Sequence, residues 1–189
     1  MKSTALAAAL TLACLLPASG RAVEVAGITI ADSQQTSGGP LVLNGAGLRR
    51  VFVFKVYVAS LYLPHKTTSA AQVLDPAERA RLTLTLLRGL TADKLIDALH
   101  EGMSANFGAD RLAALQAPMQ KLDALMRKIG TGKEGDLITL DFARDSVAVH
   151  FNGASQGVVS APNFNTALLS IWLGREPVDE HLKQSLLGS

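Results

Sequence analysis

Apolar residues change their spacing along this chain, and each change marks an element. From Ala80 to Arg88 the run ARLTLTLLR alternates apolar and polar positions, the period of a strand with one covered face. VEVAGITI from Val23 and PLVLN from Pro40 read as further strands, separated by a polar, glycine-containing turn over Ser33 to Gly39. The stretch from Val51 to Leu63 is so rich in Val, Phe and Tyr that it predicts one long strand, which Pro64 stops. After Thr91, a residue suited to an N-cap, Leu95, Ile96, Leu99, Met103 and Phe107 recur at helical spacing, and Gly108 ends the run. A second helix is predicted from Asp110 to Ile129, with Pro118 as a point of kinking or division. DLITLDFA and DSVAVHFNG form a predicted hairpin turning at Arg144-Asp145, and helices around Asn163 to Leu173 and Val178 to Leu187 close the chain.

Strands, a helical block, a hairpin and further helices make an α+β order, with helices laid on one face of a large antiparallel sheet. Alternating βαβ units and GxxxxGK[ST] are absent, and Gly130-Thr131-Gly132-Lys133-Glu134-Gly135, which has GxGxxG spacing, follows a predicted helix and precedes a strand, the reverse of the dinucleotide fingerprint; dinucleotide-binding and P-loop folds are set aside. No repeat, low-complexity block or linker interrupts residues 23 to 189, which read as one domain.

The first 22 residues stand apart. Lys2 precedes a predominantly apolar run to Leu16, and Pro17 with small residues leads to Ala22, the layout of a secretory signal peptide cleaved after Gly20 or Ala22. The run is shorter than the roughly 18 to 20 residues of a membrane span. Export to a bacterial periplasm is therefore expected, with no span in the mature chain. Cys14, the single cysteine, leaves with the signal, so no disulfide, thiol nucleophile or thiolate ligand is expected afterwards. Lys2 and Arg21 leave too, and the remaining basic side chains balance the 16 acidic ones. A neutral mature chain lacks the basic stripe that nucleic acid requires.

Familiar catalytic patterns are missing. The four histidines, His65, His100, His150 and His181, form no HxxxH or HExxH pair. Gly153-Ala154-Ser155-Gln156-Gly157 has GxSxG spacing, but it closes the predicted hairpin and opens no helix, so it is not read as a nucleophile elbow. Asp136 and Asp141 flank a strand and read as its solvated ends. No catalytic residue, metal or cofactor is expected, although axial ligation of a haem by one histidine stays open. More informative is the placement of Arg49, Arg50 and Lys55, with Tyr57 just beyond, at the mouth of an apolar strand. Such cations either neutralise an anionic ligand or guard a strand edge against aggregation.

Three strings carry a resemblance. Gly45-Ala46-Gly47-Leu48-Arg49, followed by K-x-Y-x-x-x-L-Y-L from Lys55 to Leu63, resembles the opening of the chalcone isomerase family. LLSIWLGREPVDEHLKQSLLG, from Leu168 to Gly188, is similar to its closing helices, and Ala105-Asn106-Phe107 to the end of its middle helix. The resemblance implies an open-faced sandwich, a large antiparallel sheet under a helical layer with a cleft between.

In the isomerases of that family an arginine favours a phenolate, and Thr and Tyr hydroxyls steady the charge developing on a ketone. Carried over by the resemblance, the arginine is Arg49 and the strand threonine falls at Tyr57. If Asn106 matches the helix asparagine, the helix tyrosine falls at about Leu99, and the C-terminal polar residue falls at about Ile171. Tyr57 and Tyr62 are the only tyrosines, so no other can replace the helix hydroxyl. An apolar cleft with one cation and one phenol remains, similar to the non-catalytic fatty-acid-binding members.

The resemblance thus implies a binder of an amphipathic or aromatic carboxylate such as a fatty acid, with Arg49, Tyr57, Leu99, Asn106 and Ile171 as site residues. An intramolecular lyase reusing Arg49 and Tyr57, and an interaction module with a filled cleft, are the alternatives. One geometric condition stands in the way. Eight residues of straight strand would separate Arg49 from Tyr57 by roughly 26 Å, and no Gly or Pro near Arg50 to Phe52 demands a bend.

Overall fold

A computed structural model describes residues 22–188, so the expected signal peptide, apart from Ala22, lies outside the described residues. The chain opens with a hairpin of β1 (Val23–Val25) and β2 (Ile28–Ile30). A seven-stranded antiparallel sheet follows, built from β3 (Ser33–Thr36), β4 (Gly39–Val51), β5 (Phe54–Leu63), β6 (Ala80–Leu86), β9 (Leu137–Ala143), β10 (Ser146–Phe151) and β11 (Ala154–Ser160). Its spatial order is β11-β10-β9-β6-β5-β4-β3. Between β6 and β9 the chain leaves for the helical hairpin of α2 (Ala92–Asn106) and α3 (Ala109–Ile129), clamped at its base by β7 (Leu90–Thr91) against β8 (Thr131–Gly132). Helices α4 (Phe164–Leu173) and α5 (Glu180–Leu186) end the chain, and a single-turn α1 (Ala70–Val73) links β5 to β6. The fold is the expected α+β open-faced sandwich.

Alternation in the central strands sorts side chains between two layers. Tyr57, Ala59, Leu61 and Leu63 of β5 join Leu82, Leu84 and Leu86 of β6 in the main core beneath the helices. Val58 and Tyr62 face the other way, onto Ile30, Leu41 and Leu43. Helix α4 is apolar nearly all round and lies wholly within the core, as such a helix must. On α2 and α3 the apolar positions predicted from spacing, among them Ile96, Leu99, Met103, Leu122 and Met126, are buried. Pro118 sits inside α3 without dividing it.

Three expectations are corrected. The polar segment from Ser33 contains strand β3, because an edge strand with one neighbour needs no apolar face. Strand β11 was not expected, since its small and polar residues and Gly157 carry little strand signal. Most consequentially, Val51 to Leu63 is not one strand. Val51 pairs with Phe54 around a two-residue turn, Phe52-Val53, in which Phe52 takes a positive φ of 53°. A turn made of Phe and Val carries no compositional signal, because these residues favour strands. Its effect is to fold Arg49 back onto Tyr57 as direct cross-strand partners, with Cβ atoms about 5 Å apart rather than a strand length away.

Candidate functional site

Two glycines create the geometry around Arg49. A register irregularity between Leu43 and Gly45 reverses the face of β4, so that Leu41 and Leu43 point to the outer layer while Gly45 and Gly47 point to α5. A Cβ at Gly45 would lie 2.7 Å from the Leu186 carbonyl oxygen, and one at Gly47 would lie 2.6 Å from Ser185 Cβ. Helix α5 therefore rests directly on the strand backbone. Asp179 caps that helix by accepting from Leu182 N at 3.1 Å, and its other oxygen meets Arg49 Nη1 at 3.3 Å. The spacing Gly45, Gly47, Arg49 is thus one device: the glycines seat the helix, and the helix cap meets the arginine.

Arg49 turns Nη1 toward Asp179 and the Arg50 carbonyl. The other Arg49 hydrogen bond to the described residues is a weak one toward the Tyr57 hydroxyl, which lowers that group's pKa slightly. Beside it, Tyr57 is buried at 9% exposure, and its hydroxyl accepts from the Trp172 indole N–H at 3.1 Å. Burial raises the Tyr57 pKa above the ordinary 10.0, against opposing pulls from the Trp172 hydrogen bond and the Arg49 charge.

Arg49 and Tyr57 line a cleft of about 500 Å³ between the sheet and α2, together with Arg88, Lys94, Glu101 and Glu176. Val56, Leu95 and Val178 supply apolar wall. Beneath Tyr57 a narrow apolar void of about 50 Å³ continues inward, bounded by Leu99, Ile171, Trp172 and Met126. The structure therefore brings Arg49, Tyr57, Leu99 and Ile171 around one cleft, with the two aliphatic side chains in its deep end. Asn106 is placed differently. Its amide donates to Gly102 O at 3.0 Å and Glu176 O at 2.7 Å and accepts from Glu176 N at 3.1 Å, so it pins the loop between α4 and α5. Gly174 makes that close approach possible, since a Cβ there would collide with Asn106 and Ser170.

Arg88, Lys94 and Trp172 were not foreseen as site residues. Trp172 is the chain's one tryptophan, which offered a signal, but its partner Tyr57 lies 115 positions away.

The Tyr57 shift has a measurable consequence. A phenol whose pKa is higher in the folded state favours folding fully below the unfolded value near 10.0, and that contribution is lost as pH rises beyond it. Tyr62 is shifted the same way, again chiefly by burial. Stability from urea unfolding is expected to fall with pH above 10, and Tyr57→Phe should flatten the fall while Tyr62 keeps part of it. An unchanged slope in Tyr57→Phe counts against a buried, protonated Tyr57.

Fold and cleft together define a sheet-and-helix scaffold whose apolar pocket opens at a mouth of mixed charge, Arg49, Arg88 and Lys94 with Glu101 and Glu176. The family model described as chalcone isomerase-like matches residues 22–188, and the chain belongs to that family. Among solved structures it is similar to a fatty-acid binding protein of Arabidopsis thaliana, with a TM-score of 0.71 and 16% identity over 88% of this chain and 96% of that one. That likeness shows the fold. Comparison with curated proteins finds no match.

Proposed function

We propose that the chain is a non-catalytic binder of an amphipathic or aromatic carboxylate, held at the mouth of the cleft by Arg49 with Tyr57 beside it. The observation that carries this reading is the cross-strand pairing of Arg49 with Tyr57, which puts a guanidinium and a phenol side by side against an apolar pocket. Nε and Nη2 form a two-pronged donor suited to both oxygens of a carboxylate, while on the rim Arg88 and Lys94 stand against Glu101 and Glu176, which leaves Arg49 as the anchoring charge. About 500 Å³ falls within the usual range for small-ligand pockets. The deep void is far smaller, so most of the ligand lies in the outer cleft against Val56, Leu95 and Val178.

Two supports come from the family. The solved neighbour is itself a fatty-acid binding protein. Leu99 and Ile171 place aliphatic carbon where the family resemblance calls for polar groups, which leaves ring closure without its hydroxyl network. The reading also includes export: residues 1 to 22 act as a signal peptide, and the proposed place of action is a bacterial periplasm.

Mass spectrometry tests these points together. Protein recovered after export is expected to lack the first 22 residues, or the first 20, and its organic extract to contain a carboxylic acid. Titration followed by Trp172 fluorescence should show binding of a long-chain fatty acid or a flat aromatic acid. Arg49→Ala should weaken that binding by about tenfold to a hundredfold, the loss expected for a charge-assisted hydrogen-bond pair. A hydroxychalcone should stay open in its presence. Wild-type protein that carries no acid and responds to neither probe ends the binding reading, and ring closure above the uncatalysed rate replaces it with the isomerase.

A further inference from the structure

The hairpin that joins Arg49 to Tyr57 ends in an unusual tip. Val51, Phe52, Val53 and Phe54 are consecutive and all exposed, with Phe52 at 94% and Val53 at 82%. Exposed runs of this length are avoided in soluble chains unless they have a use. The turn itself is costly in kind, for Phe52 holds a positive φ where Gly, Asn or Asp is the favoured residue. A side chain so nearly free of protein contact does nothing for the core. An exposed aromatic at a strained position points outward.

Charge says toward what. Arg50 and Lys55 bracket the four apolar residues, and the Arg88 guanidinium lies 4.9 Å from the centre of the Phe54 ring. No acidic residue occurs in the chain between Asp32 and Asp75. A small convex apolar knob ringed at its base by cations has the layout of an interfacial membrane anchor. The aromatic and aliphatic tip enters the boundary of the acyl region, and the cations remain at the level of the phosphates. A protein partner fits less well, since stable interfaces need about 800 Å² from each side, and a two-residue turn offers little of that.

We propose that the β4–β5 hairpin tip docks the protein onto an anionic phospholipid surface. Val51, Arg49 and Val56 line the cleft, so docking brings the mouth of the pocket to the lipid. The proposal stands apart from the ligand reading, because attachment can be read with no small ligand present.

The test uses the chain from Ala22 onward, which holds every described element, in co-sedimentation with vesicles. Wild type is expected to pellet with vesicles of equal parts phosphatidylcholine and phosphatidylglycerol, to stay in solution with phosphatidylcholine alone, and to be released by salt. The double variant Phe52→Ser/Val53→Ser, whose side chains are exposed and leave the core untouched, should bind at least about tenfold more weakly. Arg50→Gln/Lys55→Gln should weaken binding and blunt its salt dependence. Wild type that ignores anionic vesicles overturns the proposal, as does a serine variant that pellets equally well. Self-association abolished by the serine variant, without vesicle binding, overturns it in favour of a second copy of the chain.

Discussion

Gly45→Val is expected to destabilise the protein by about 4 kcal/mol, the cost of stripping two leucines from their burial. A Cβ at this position would run into the carbonyl groups of Ser185 and Leu186. These are backbone atoms of the last helical turn, and no change of rotamer moves them. Helix α5 must lift, and with it Leu182 and Leu186, which are buried almost completely. Asn44 loses its hold as well, since its amide donates to Leu186 O at 2.7 Å. Urea unfolding should show the loss, and hydrogen exchange should show α5 amides opening ahead of the sheet. A variant with wild-type stability and protected α5 amides would contradict the seating of this helix on bare strand backbone.

Trp172→Ala should cost a similar amount, about 4 kcal/mol for a large aromatic truncated in a core. Two losses combine. The vacated volume adjoins the existing void of about 50 Å³, so neighbouring side chains cannot close over it easily. The Tyr57 hydroxyl also loses its indole donor while still buried. Trp172→Phe separates the two, because it keeps most of the apolar bulk and removes the donor, for about 1 kcal/mol. A double-mutant cycle with Tyr57→Phe should then recover a coupling energy for the pair. Circular dichroism is the readout, since the alanine variant has no tryptophan left. A loss under about 1 kcal/mol in Trp172→Ala would mean that the indole is not part of the core.

What the chain discloses in advance depends on how local each feature is. Helices α2 and α3 are legible because Leu99, Met103, Leu122 and Met126 repeat at a spacing set within each helix. The β9–β10 turn is legible at Arg144-Asp145, where Asp145 takes the positive φ that such residues tolerate. The Phe52-Val53 turn is not, since its residues favour strands and the antiparallel partner that closes it is a matter of register. The site divides along the same line. Arg49 and Tyr57 stand out as polar groups in an apolar stretch, and family likeness points to the positions of Leu99 and Ile171. Arg88, Lys94 and Trp172 enter only when separate elements converge on one cleft. Asn106 shows the converse: a position marked by likeness, whose amide is taken up by the Glu176 backbone.

The docking of α5 on β4 also sets an order of events. Residues 45 to 49 leave the ribosome well before the residues that cover them, 179 to 187, since Arg49 and its partner Asp179 are 130 positions apart. Until then the nascent chain exposes a glycine-floored groove and an arginine without its carboxylate partner. Contacts this distant in sequence form slowly, because a long loop must close before they stabilise anything. The pocket mouth is therefore completed only once residues 179 to 187 have been made. A chain cut before Asp179 would retain every strand of the sheet and still lack a finished site.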